Sequence, residues 1–453
     1  MNNAFCAPNQ SFNKGVSHMS ARNHELLEKR NQHVPQGPFN TTSAFIKDAH
    51  GAVMVDVDGR ELIDFAGGIG VNNVGHCHPK VVAAIRDQAG KCIHTCFHVA
   101  MYEAYVDLAA RLNELAPGDF AKMTMFANSG AEAVENAVKV ARYTSQRPGI
   151  VCFENAFHGR TLMGMTLTSK VKPYKFGFGP FAPEVYRMPF AYCYRCPFGL
   201  TYPACGTACA DYLEEFFISH VAAEQTAAVI AEPIQREGGF VTPPPEYFPK
   251  LKAICEKYDI ALIIDEVQSG AGRTGKFFAI DHWGVTPDII TLAKSFAGGM
   301  PLSAVIGRAD MMNAPHVVGL GGTYSGNPIS CRTALAVLEI LFEDKLLDQS
   351  VRLGETLLAR FSAMQERYEI IGEVRGKGPM LGMELVEDRE SKKPATDKAK
   401  ALVGRCYEKG LVLLSCGNFC NVIRTLMPLV ITEEQLARGL AILEETLEEV
   451  SSS

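Results

Sequence analysis

The sequence predicts an α/β protein whose larger part is a mainly parallel β-sheet wrapped by helices. Between residues 123 and 308, short apolar runs of strand length alternate with stretches that repeat apolar residues at helical spacing. The strand-like runs are MTMFA, GIVCFE, TAAVIAEPI, ALIIDEV, PDIITLA and PLSAVIGR. Such alternation favours a parallel sheet with a binding site at the carboxyl ends of its strands. From about Ser330 onward, helices and strands follow in mixed order, which predicts a second, smaller domain.

The composition limits the classes of protein to which this chain can belong. The chain has 453 residues, of which 47% are apolar, so it can bury a large core. The net charge is -6 and the basic residues are dispersed, which argues against a nucleic-acid or anionic-membrane surface. No apolar run approaches the length of a membrane span, and the polar N-terminus lacks the apolar core of a signal peptide. We therefore expect a cytoplasmic protein whose 14 cysteines are mostly reduced.

The elements outside the alternating region are predicted as follows. Residues 23–36 favour a short helix, and residues 52–57 and 61–65 flank Asp58-Gly59 as the strands of a hairpin. The glycine-rich residues 65–79 are typical of a loop that lines a site. TALAVLEILFEDKLL predicts a long helix after Ser330, and strands are predicted at residues 380–385, 411–415 and 422–426 before a last helix from Glu433.

Two charged side chains lie at the ends of predicted apolar strands. Lys294 follows the run IITL, just before a Gly-Gly turn. A lysine placed there is expected to have a lowered pKa and to form a Schiff base with a carbonyl, although a surface lysine that extends past the strand end fits equally well. Asp265 ends the run ALII, where a buried carboxylate needs a cation such as a protonated pyridine nitrogen; the alternative is an aspartate that caps a turn.

Two further features follow strands of the same region. Ser129-Gly130-Ala131 lies at a strand-to-helix turn, which offers backbone amides to a phosphate, although such residues also cap ordinary helices. Phe157 follows GIVCFE and could stack on a planar ring, while Arg160 could bind a carboxylate. Together with Lys294 and Asp265, these features describe a site for a phosphorylated pyridine aldehyde.

The same motifs carry a family resemblance. FANSGAEAVENA, FHGRT, EPIQ, IIDEVQSGAGRTG, PDIITLAKSFAGGMPL and GGTYSGNP resemble the class III, or ω-amino-acid, aminotransferases that use pyridoxal phosphate. The likeness runs from about His24 to Glu449, and IDFAGGIGVNNVGHCHPKVVAAI and LLSCGNFCNVIRTLMPL are similar to the 4-aminobutyrate aminotransferases among them.

The resemblance implies a domain layout and an assembly. The fold would be type I of the pyridoxal-phosphate-dependent transferases. Residues 79–338 would form the large domain, with a mostly parallel seven-stranded sheet. The smaller α+β domain would combine residues 21–78 with residues 339–453, and residues 1–20 would be a disordered tail. Such enzymes are homodimers with shared sites, and whether these dimers pair into tetramers is left open.

The resemblance also implies residue roles. The catalytic residues would be Lys294, Asp265 and Glu232. The cofactor-binding residues would be Ser129, Gly130, Ala131, Phe157, His158, Asp265, Gln268, Lys294 and, from the neighbouring subunit, Thr323. The substrate-binding residues would be Ile69, Arg160, Glu237 and Arg424. Arg160 would bind the carboxylate remote from the reacting amine, whereas Arg424 would bind the α-carboxylate of glutamate and otherwise pair with Glu237.

The expected reaction moves the terminal amino group of 4-aminobutyrate, or of a close ω-amino acid, to 2-oxoglutarate. The products would be succinate semialdehyde and glutamate, formed by a ping-pong mechanism. Alternative donors are ornithine, acetylornithine, 5-aminovalerate and taurine, and an amino-acid racemase on the same fold is a further alternative. A non-catalytic protein that keeps the fold is disfavoured by the intact set of candidate residues.

Two departures from the family pattern stand out. EPIQREGG carries Arg236 where the family usually has glycine. This cation could alter the pairing of Glu237 or favour another acidic donor such as taurine, but we expect a solvated side chain. The insertion YCYRCPFGLTYPACGTAC places four cysteines in a CxxC then CxxxC arrangement. Free thiols or a local disulfide are preferred there over zinc or an iron–sulfur cluster held by Cys193, Cys196, Cys205 and Cys209.

Overall fold

The structure is a computed structural model that describes residues 20–452. The tail predicted over residues 1–20 lies outside the described residues apart from Ser20. Ser20 caps the first helix, since its hydroxyl accepts a hydrogen bond from the Asn23 amide. No helix within residues 20–452 is long and apolar enough to cross a membrane.

A seven-stranded sheet forms the centre of the molecule. Its strands are β4 Lys122–Ala127, β5 Gly149–Phe153, β6 Val185–Met188, β7 Thr226–Ala231, β8 Ala261–Asp265, β9 Ile289–Leu292 and β10 Ser303–Arg308. They lie in the order β4-β10-β9-β8-β7-β5-β6, and β10 is antiparallel to both of its neighbours. The predicted mostly parallel sheet of seven strands is thus confirmed.

Two details of this sheet differ from the expectation. The alternating pattern predicts that PLSAVIGR is part of the parallel series, but β10 is antiparallel to β9. The segment between β9 and β10 spans only residues 293–302, which is shorter than a parallel crossover requires, so the chain turns back directly. The edge strand β6 was not predicted from the sequence, because its VYRM run is only four residues long and contains a charged residue, Arg187.

Both faces of the sheet are buried, and alternate residues along each strand contribute to opposite faces. Val151, Phe153 and Leu262 belong to the larger core, whereas Ile150 and Ile263 belong to a second core under helix α5. The helices are α1 Ala21–His33, α2 Gly67–Gly70, α3 Pro79–Ala89, α4 Glu103–Leu115, α5 Gly130–Ser145, α6 Leu162–Leu167, α7 Ala208–Ser219, α8 Tyr247–Lys257, α9 Ala309–Met312, α10 Pro328–Phe342, α11 Leu346–Arg367, α12 Thr396–Glu408 and α13 Glu433–Ser451. The long helix predicted after Ser330 is divided in two, since Lys345 adopts a left-handed conformation between α10 and α11.

Two smaller sheets complete the fold. The remaining strands are β1 Ile46–His50, β2 Val53–Asp56, β3 Glu61–Asp64, β11 Ile371–Lys377, β12 Met380–Leu385, β13 Leu411–Val412, β14 Leu414–Cys416 and β15 Val422–Arg424. The predicted hairpin is present as β2 and β3, and β13 adds to it in parallel. Strands from the N-terminal part of the chain thus share one sheet, in the order β1-β2-β3-β13, with a strand from the C-terminal part. The other sheet has the order β11-β12-β15-β14.

The packing of α11 gives a test of the fold. A methyl group added at Gly354 would lie 2.4 Å from the backbone of Gly378, so Gly354→Ala forces two main chains apart. We expect it to lower the free energy of unfolding by about 1–3 kcal/mol. Gly404→Ala in α12 is the matched control, because nothing lies within 4 Å of its added methyl group. The control should stabilise the protein by about 0.5–1 kcal/mol. Thermal unfolding of both variants measures the difference, and equal midpoints would contradict this packing.

Candidate active site

Lys294 follows β9 and has an unusual backbone conformation. Its φ is +53°, in the left-handed region that side-chain-bearing residues seldom adopt. It begins a single helical turn, Lys294–Ala297, and Gly298 and Gly299 follow with positive φ as well. Strained backbone of this kind concentrates at functional sites. Lys294 is half-buried, so the alternative of an exposed surface lysine is not what the structure shows. Burial, reinforced by the positive charge of Arg236, lowers the pKa of Lys294 to about 7.

Asp265 is the last residue of β8 and is 1% exposed. One carboxylate oxygen, Oδ2, accepts from His158 Nδ1 at 2.7 Å and from Arg236 Nη2 at 3.1 Å. The other, Oδ1, accepts from the amide of Val267 at 3.0 Å. Although burial opposes ionisation, the charge of Arg236 and the hydrogen bond from His158 hold the pKa of Asp265 at about 2. The carboxylate is a permanent buried anion.

Glu232 and Phe157 are two further predicted site residues, and they contact each other. Glu232 lies just after β7 and is 2% exposed. Its Oε2 accepts from the Phe157 amide at 3.0 Å, and its Oε1 pairs with Arg236 Nε at 2.8 Å. Burial raises the pKa of Glu232, against the effect of Arg236. The Phe157 ring meets Tyr174 edge to face at 4.9 Å.

Arg236 overturns an expectation from the sequence. We expected a solvated side chain, but Arg236 is 4% exposed and its guanidinium group lies between Glu232 and Asp265. It also donates to the carbonyl oxygen of Phe157. A solvated cation was the simpler expectation because the sequence does not reveal that two carboxylates face this position from β7 and β8.

The proposed phosphate site lies at the first turn of α5. The Ser129 hydroxyl and Glu132 form a capping box, which leaves the amides of Gly130 and Ala131 without a partner inside the helix. A methyl group added at Gly130 would lie 2.7 Å from Val267, so glycine is needed for this close approach. Ser129 is exposed, as is Thr323, the residue expected to come from the neighbouring subunit.

Gln268 connects the site to the glycine-rich loop. Its Nε2 donates to the Ile69 carbonyl at 3.2 Å, and its buried Oε1 has no partner among residues 20–452. Ser295 Oγ donates to the Gly70 carbonyl at 2.7 Å, so the loop is held beside Lys294 from two directions. Ile69 has φ +66°, a strained conformation for a β-branched residue, and its side chain is 51% exposed.

A cavity of about 720 Å³ contains all four predicted substrate-binding residues. They are Ile69, Arg160, Glu237 and Arg424. Lys294 and Asp265 are not among the residues that line this cavity. Ile69 connects the cavity to the residues around Lys294, because Ile69 lines the cavity and its carbonyl accepts a hydrogen bond from Gln268.

The acid and the two arginines of this cavity are connected. Arg424 is 8% exposed, and its Nη1 lies 3.6 Å from Glu237 Oε2. Tyr174, which sequence reasoning missed, donates from its hydroxyl group to Glu237 Oε1 at 3.0 Å. The Arg160 guanidinium carbon lies 5.1 Å from the centre of the Tyr174 ring. Tyr174 lies in an irregular segment, where no periodicity marks a residue as functional.

The four cysteines of the insertion surround one small cavity of about 20 Å³. All four have free thiols in the structure. Burial raises the pKa of Cys193 to about 11 and that of Cys209 to about 12, so both are protonated at neutral pH. Within residues 20–452, no three or more histidine, cysteine, aspartate or glutamate side chains are arranged to hold a metal ion. The metal alternative at this cluster stays a prediction.

The residues around Lys294 suit pyridoxal phosphate. A lysine with a pKa of about 7 can attack an aldehyde. The buried anion at Asp265 suits a protonated ring nitrogen. Gln268 Oε1 has no donor among residues 20–452 and could accept a hydrogen bond from the cofactor. A type I fold with such a lysine defines a pyridoxal-phosphate-dependent transferase. The family model for class-III aminotransferases matches residues 36–447, and the chain belongs to this family. It is therefore a pyridoxal-phosphate-dependent aminotransferase.

Individual relatives agree with this assignment. The chain is 46% identical over 420 residues to a probable 4-aminobutyrate aminotransferase of Bacillus subtilis, covering 93% of this chain and 96% of the relative. It is also 46% identical over 433 residues to the 5-aminovalerate aminotransferase DavT of Pseudomonas putida, covering 96% and 100%. Among solved structures, an aminotransferase of Bacillus anthracis aligns with a TM-score of 0.88 and 29% identity, covering 95% and 100%.

The lowered pKa of Lys294 predicts how stability depends on pH. In the unfolded chain the ammonium group keeps its proton up to about pH 10.5, whereas in the folded apoenzyme it loses the proton near pH 7. Between these values the unfolded chain binds more protons, so the stability of the wild-type apoenzyme rises with pH. Lys294→Met should therefore stabilise the apoenzyme by about 1–3 kcal/mol at pH 7, and the gain should shrink towards pH 10.

Denaturant unfolding of both apoenzymes from pH 7 to pH 9.5 measures this difference. Lys91→Met is the control, because the Lys91 side chain is 66% exposed and pairs with the exposed Asp87. The control should change stability by less than about 0.5 kcal/mol at every pH. A gain for Lys294→Met that does not vary with pH would contradict the lowered pKa.

Proposed function

We propose that this aminotransferase moves the terminal amino group of 4-aminobutyrate, or of a close ω-amino acid, to 2-oxoglutarate. The products are succinate semialdehyde and glutamate, formed by a ping-pong mechanism. The observation that carries this proposal is the presence of two arginines and one acid in a single cavity, where Arg424 faces Glu237 at 3.6 Å. Such a set accepts a donor with one carboxylate and an acceptor with two.

Recognition of both substrates follows from the charges. Arg160 binds the carboxylate remote from the reacting carbon, which 4-aminobutyrate and glutamate both possess. Arg424 binds the α-carboxylate of glutamate or 2-oxoglutarate, and it pairs with Glu237 when the donor has no such group. A buried cation without a partner costs several kcal/mol, so Glu237 must replace the missing carboxylate. Ile69 packs beside the chain of the donor.

Proton transfer is assigned to Lys294. Bound pyridoxal phosphate supplies an aldehyde that captures amines and a ring that takes up electrons. With a pKa near 7, Lys294 Nζ can accept the proton from the amine-bearing carbon of the donor. Asp265, which is itself held by His158, would hold the ring nitrogen, and Gln268 would hold the ring hydroxyl. Glu232 positions the main chain of Phe157.

The remaining cofactor contacts depend on a second subunit. Ser129, Gly130 and Ala131 would bind the phosphate, together with Thr323 of a neighbouring copy. A homodimer with shared sites is supported by large apolar side chains on the surface of the single chain, such as Val99 (82% exposed) and Met101 (79% exposed). We further propose a cytoplasmic location and the domain boundaries at residues 78 and 338.

A second donor, 5-aminovalerate, is favoured by one observation. The Pseudomonas putida relative named for it is as similar to this chain as the one named for 4-aminobutyrate. The two donors differ by one methylene group, and such a difference in an apolar pocket changes selectivity by only about 10- to 200-fold. Ornithine, acetylornithine and taurine remain less favoured alternatives, as does a racemase.

The proposal is tested by the visible absorbance of the purified enzyme. Adding 4-aminobutyrate without an oxo acid should bleach the cofactor band, and 2-oxoglutarate should then restore it. 5-Aminovalerate, ornithine, acetylornithine and taurine are compared at equal concentration by the rate of bleaching. If only one of these alternatives bleaches the band, the donor assignment is wrong. If a single amino acid is racemised without any oxo acid, the transaminase assignment is wrong.

Tyr174 should affect the two halves of the reaction unequally. The Tyr174 hydroxyl group donates a hydrogen bond to the Glu237 carboxylate. Tyr174 can therefore hold Glu237 when the α-carboxylate of an incoming substrate displaces Glu237 from Arg424. Tyr174→Phe removes this hydrogen bond to a charged group, which is worth about 1.5–3 kcal/mol. The KM for 2-oxoglutarate should therefore rise about tenfold or more, while the KM for 4-aminobutyrate changes less than about twofold.

Steady-state kinetics with both substrates varied give the two constants. Tyr186→Phe is the matched control, since its hydroxyl also donates to a carboxylate, that of Glu184, but outside the cavity. The control should leave both constants unchanged. An equal rise of both KM values in Tyr174→Phe would show that Tyr174 shapes the cavity and has no part in exchanging the partner of Arg424.

A further inference from the structure

Arg236 occupies a position that connects three parts of the cofactor pocket. Its Nε pairs with Glu232 Oε1 at 2.8 Å, and its Nη2 donates to Asp265 Oδ2 at 3.1 Å. Nε and Nη2 also face the carbonyl oxygen of Phe157, and the guanidinium carbon lies 5.3 Å from the centre of the Phe157 ring. A single side chain thus contacts Asp265, Glu232 and Phe157.

The charges explain why a cation is needed there. Glu232 and Asp265 are 2% and 1% exposed, and both lie beside Arg236. Two neighbouring buried carboxylates disfavour each other's ionisation, and without a cation they would share a proton. Arg236 allows Asp265 to remain an anion next to Glu232. A glycine at position 236, which is usual in the family, would leave the two acids without this cation.

A second buried arginine shows what a purely structural clamp looks like in this chain. Arg375 also bridges two carboxylates, those of Glu373 and Glu384, and donates to Tyr192 and to the carbonyl oxygen of Gly239. All three of its nitrogens have partners. In Arg236, by contrast, the buried Nη1 has no acceptor within residues 20–452. A buried donor without an acceptor is costly, which favours an acceptor on a bound ligand.

We propose that Arg236 is a positioning residue of the cofactor pocket, which keeps Asp265 ionised beside Glu232 and holds Phe157 in place for the cofactor ring. The inference does not depend on which amino donor the enzyme prefers. The proposal also concerns Lys294, because charged groups on several elements affect the basicity of its nitrogen. These charges belong to Arg236, Asp265, Glu232 and Arg424. Of the two cations, Arg236 has the greater effect on Lys294, so its removal should make the lysine nitrogen more basic.

Two measurements without substrate test the proposal. The first is the Kd of pyridoxal phosphate for the apoenzyme, from fluorescence titration. The second is the pH midpoint of the visible band of the loaded enzyme, which reports protonation at the Lys294 nitrogen. Arg236→Met should raise the Kd at least about tenfold and move the midpoint upward by about one pH unit. Arg236→Lys retains the charge without the fork of donors, so it should restore the midpoint but only part of the affinity.

Two further variants separate charge from packing. Arg375→Met is the matched control, because it breaks a similar clamp away from Lys294; it should lower thermal stability without changing the Kd by more than about twofold or moving the midpoint. Glu232→Gln added to Arg236→Met removes the uncompensated acid, and it should recover part of the lost affinity.

Three results would overturn the proposal. The first is an Arg236→Met enzyme whose Kd stays within about twofold and whose midpoint does not move. The second is an Arg375→Met enzyme with the same Kd and midpoint changes as Arg236→Met, which would indicate general destabilisation. If Arg236→Met does not fold, Arg236→Lys decides, and a wild-type Kd in that variant would count against the clamp. Failure of the donor assignment would leave all of these results unaffected.

Discussion

The active site depends on keeping one carboxylate ionised inside the protein. Asp265 ends a buried strand, where desolvation strongly opposes a negative charge. Three donors compensate: the imidazole of His158, the amide of Val267 and the guanidinium of Arg236. They come from three different segments, so the charge can exist only when β5, β7 and β8 are assembled in the sheet. The fold and the ionisation of this group are therefore linked.

Lys294 has the opposite requirement, since it must be able to lose its proton near neutral pH. Burial provides most of this effect and Arg236 adds to it. The same arginine thus favours a charged aspartate and an uncharged lysine, which is the combination that attack on an aldehyde needs. The left-handed backbone of Lys294 and of Ile69 shows that the loops around this lysine are held in strained conformations by their neighbours. Gln268 and Ser295 supply the hydrogen bonds that hold the Ile69 loop there.

Much of this site could be predicted from the sequence because its residues follow apolar strands. Lys294, Asp265 and Ser129 all come directly after such runs, and parallel strands bring their carboxyl ends to one edge. The direction of β10 could have been inferred from its short connection. The burial of Arg236 could not, because it depends on Asp265, which a different strand places beside Glu232 and Arg236. Tyr174 was missed since nothing in an irregular loop indicates that its hydroxyl group reaches Glu237.

The segment after β7 shows how the cofactor pocket and the substrate cavity are connected. Glu232, Arg236 and Glu237 lie within six consecutive residues, yet Arg236 turns towards Asp265 whereas Glu237 lines the substrate cavity. Because adjacent residues share a peptide bond, the contacts that fix Arg236 also fix the backbone from which Glu237 reaches Arg424. In the proposed mechanism, the carboxylate that exchanges partners between half-reactions is thus carried by a main chain anchored through Arg236. The proposed exchange therefore requires movement of the Glu237 side chain alone, and it leaves the contacts of Arg236 with Glu232 and Asp265 in place.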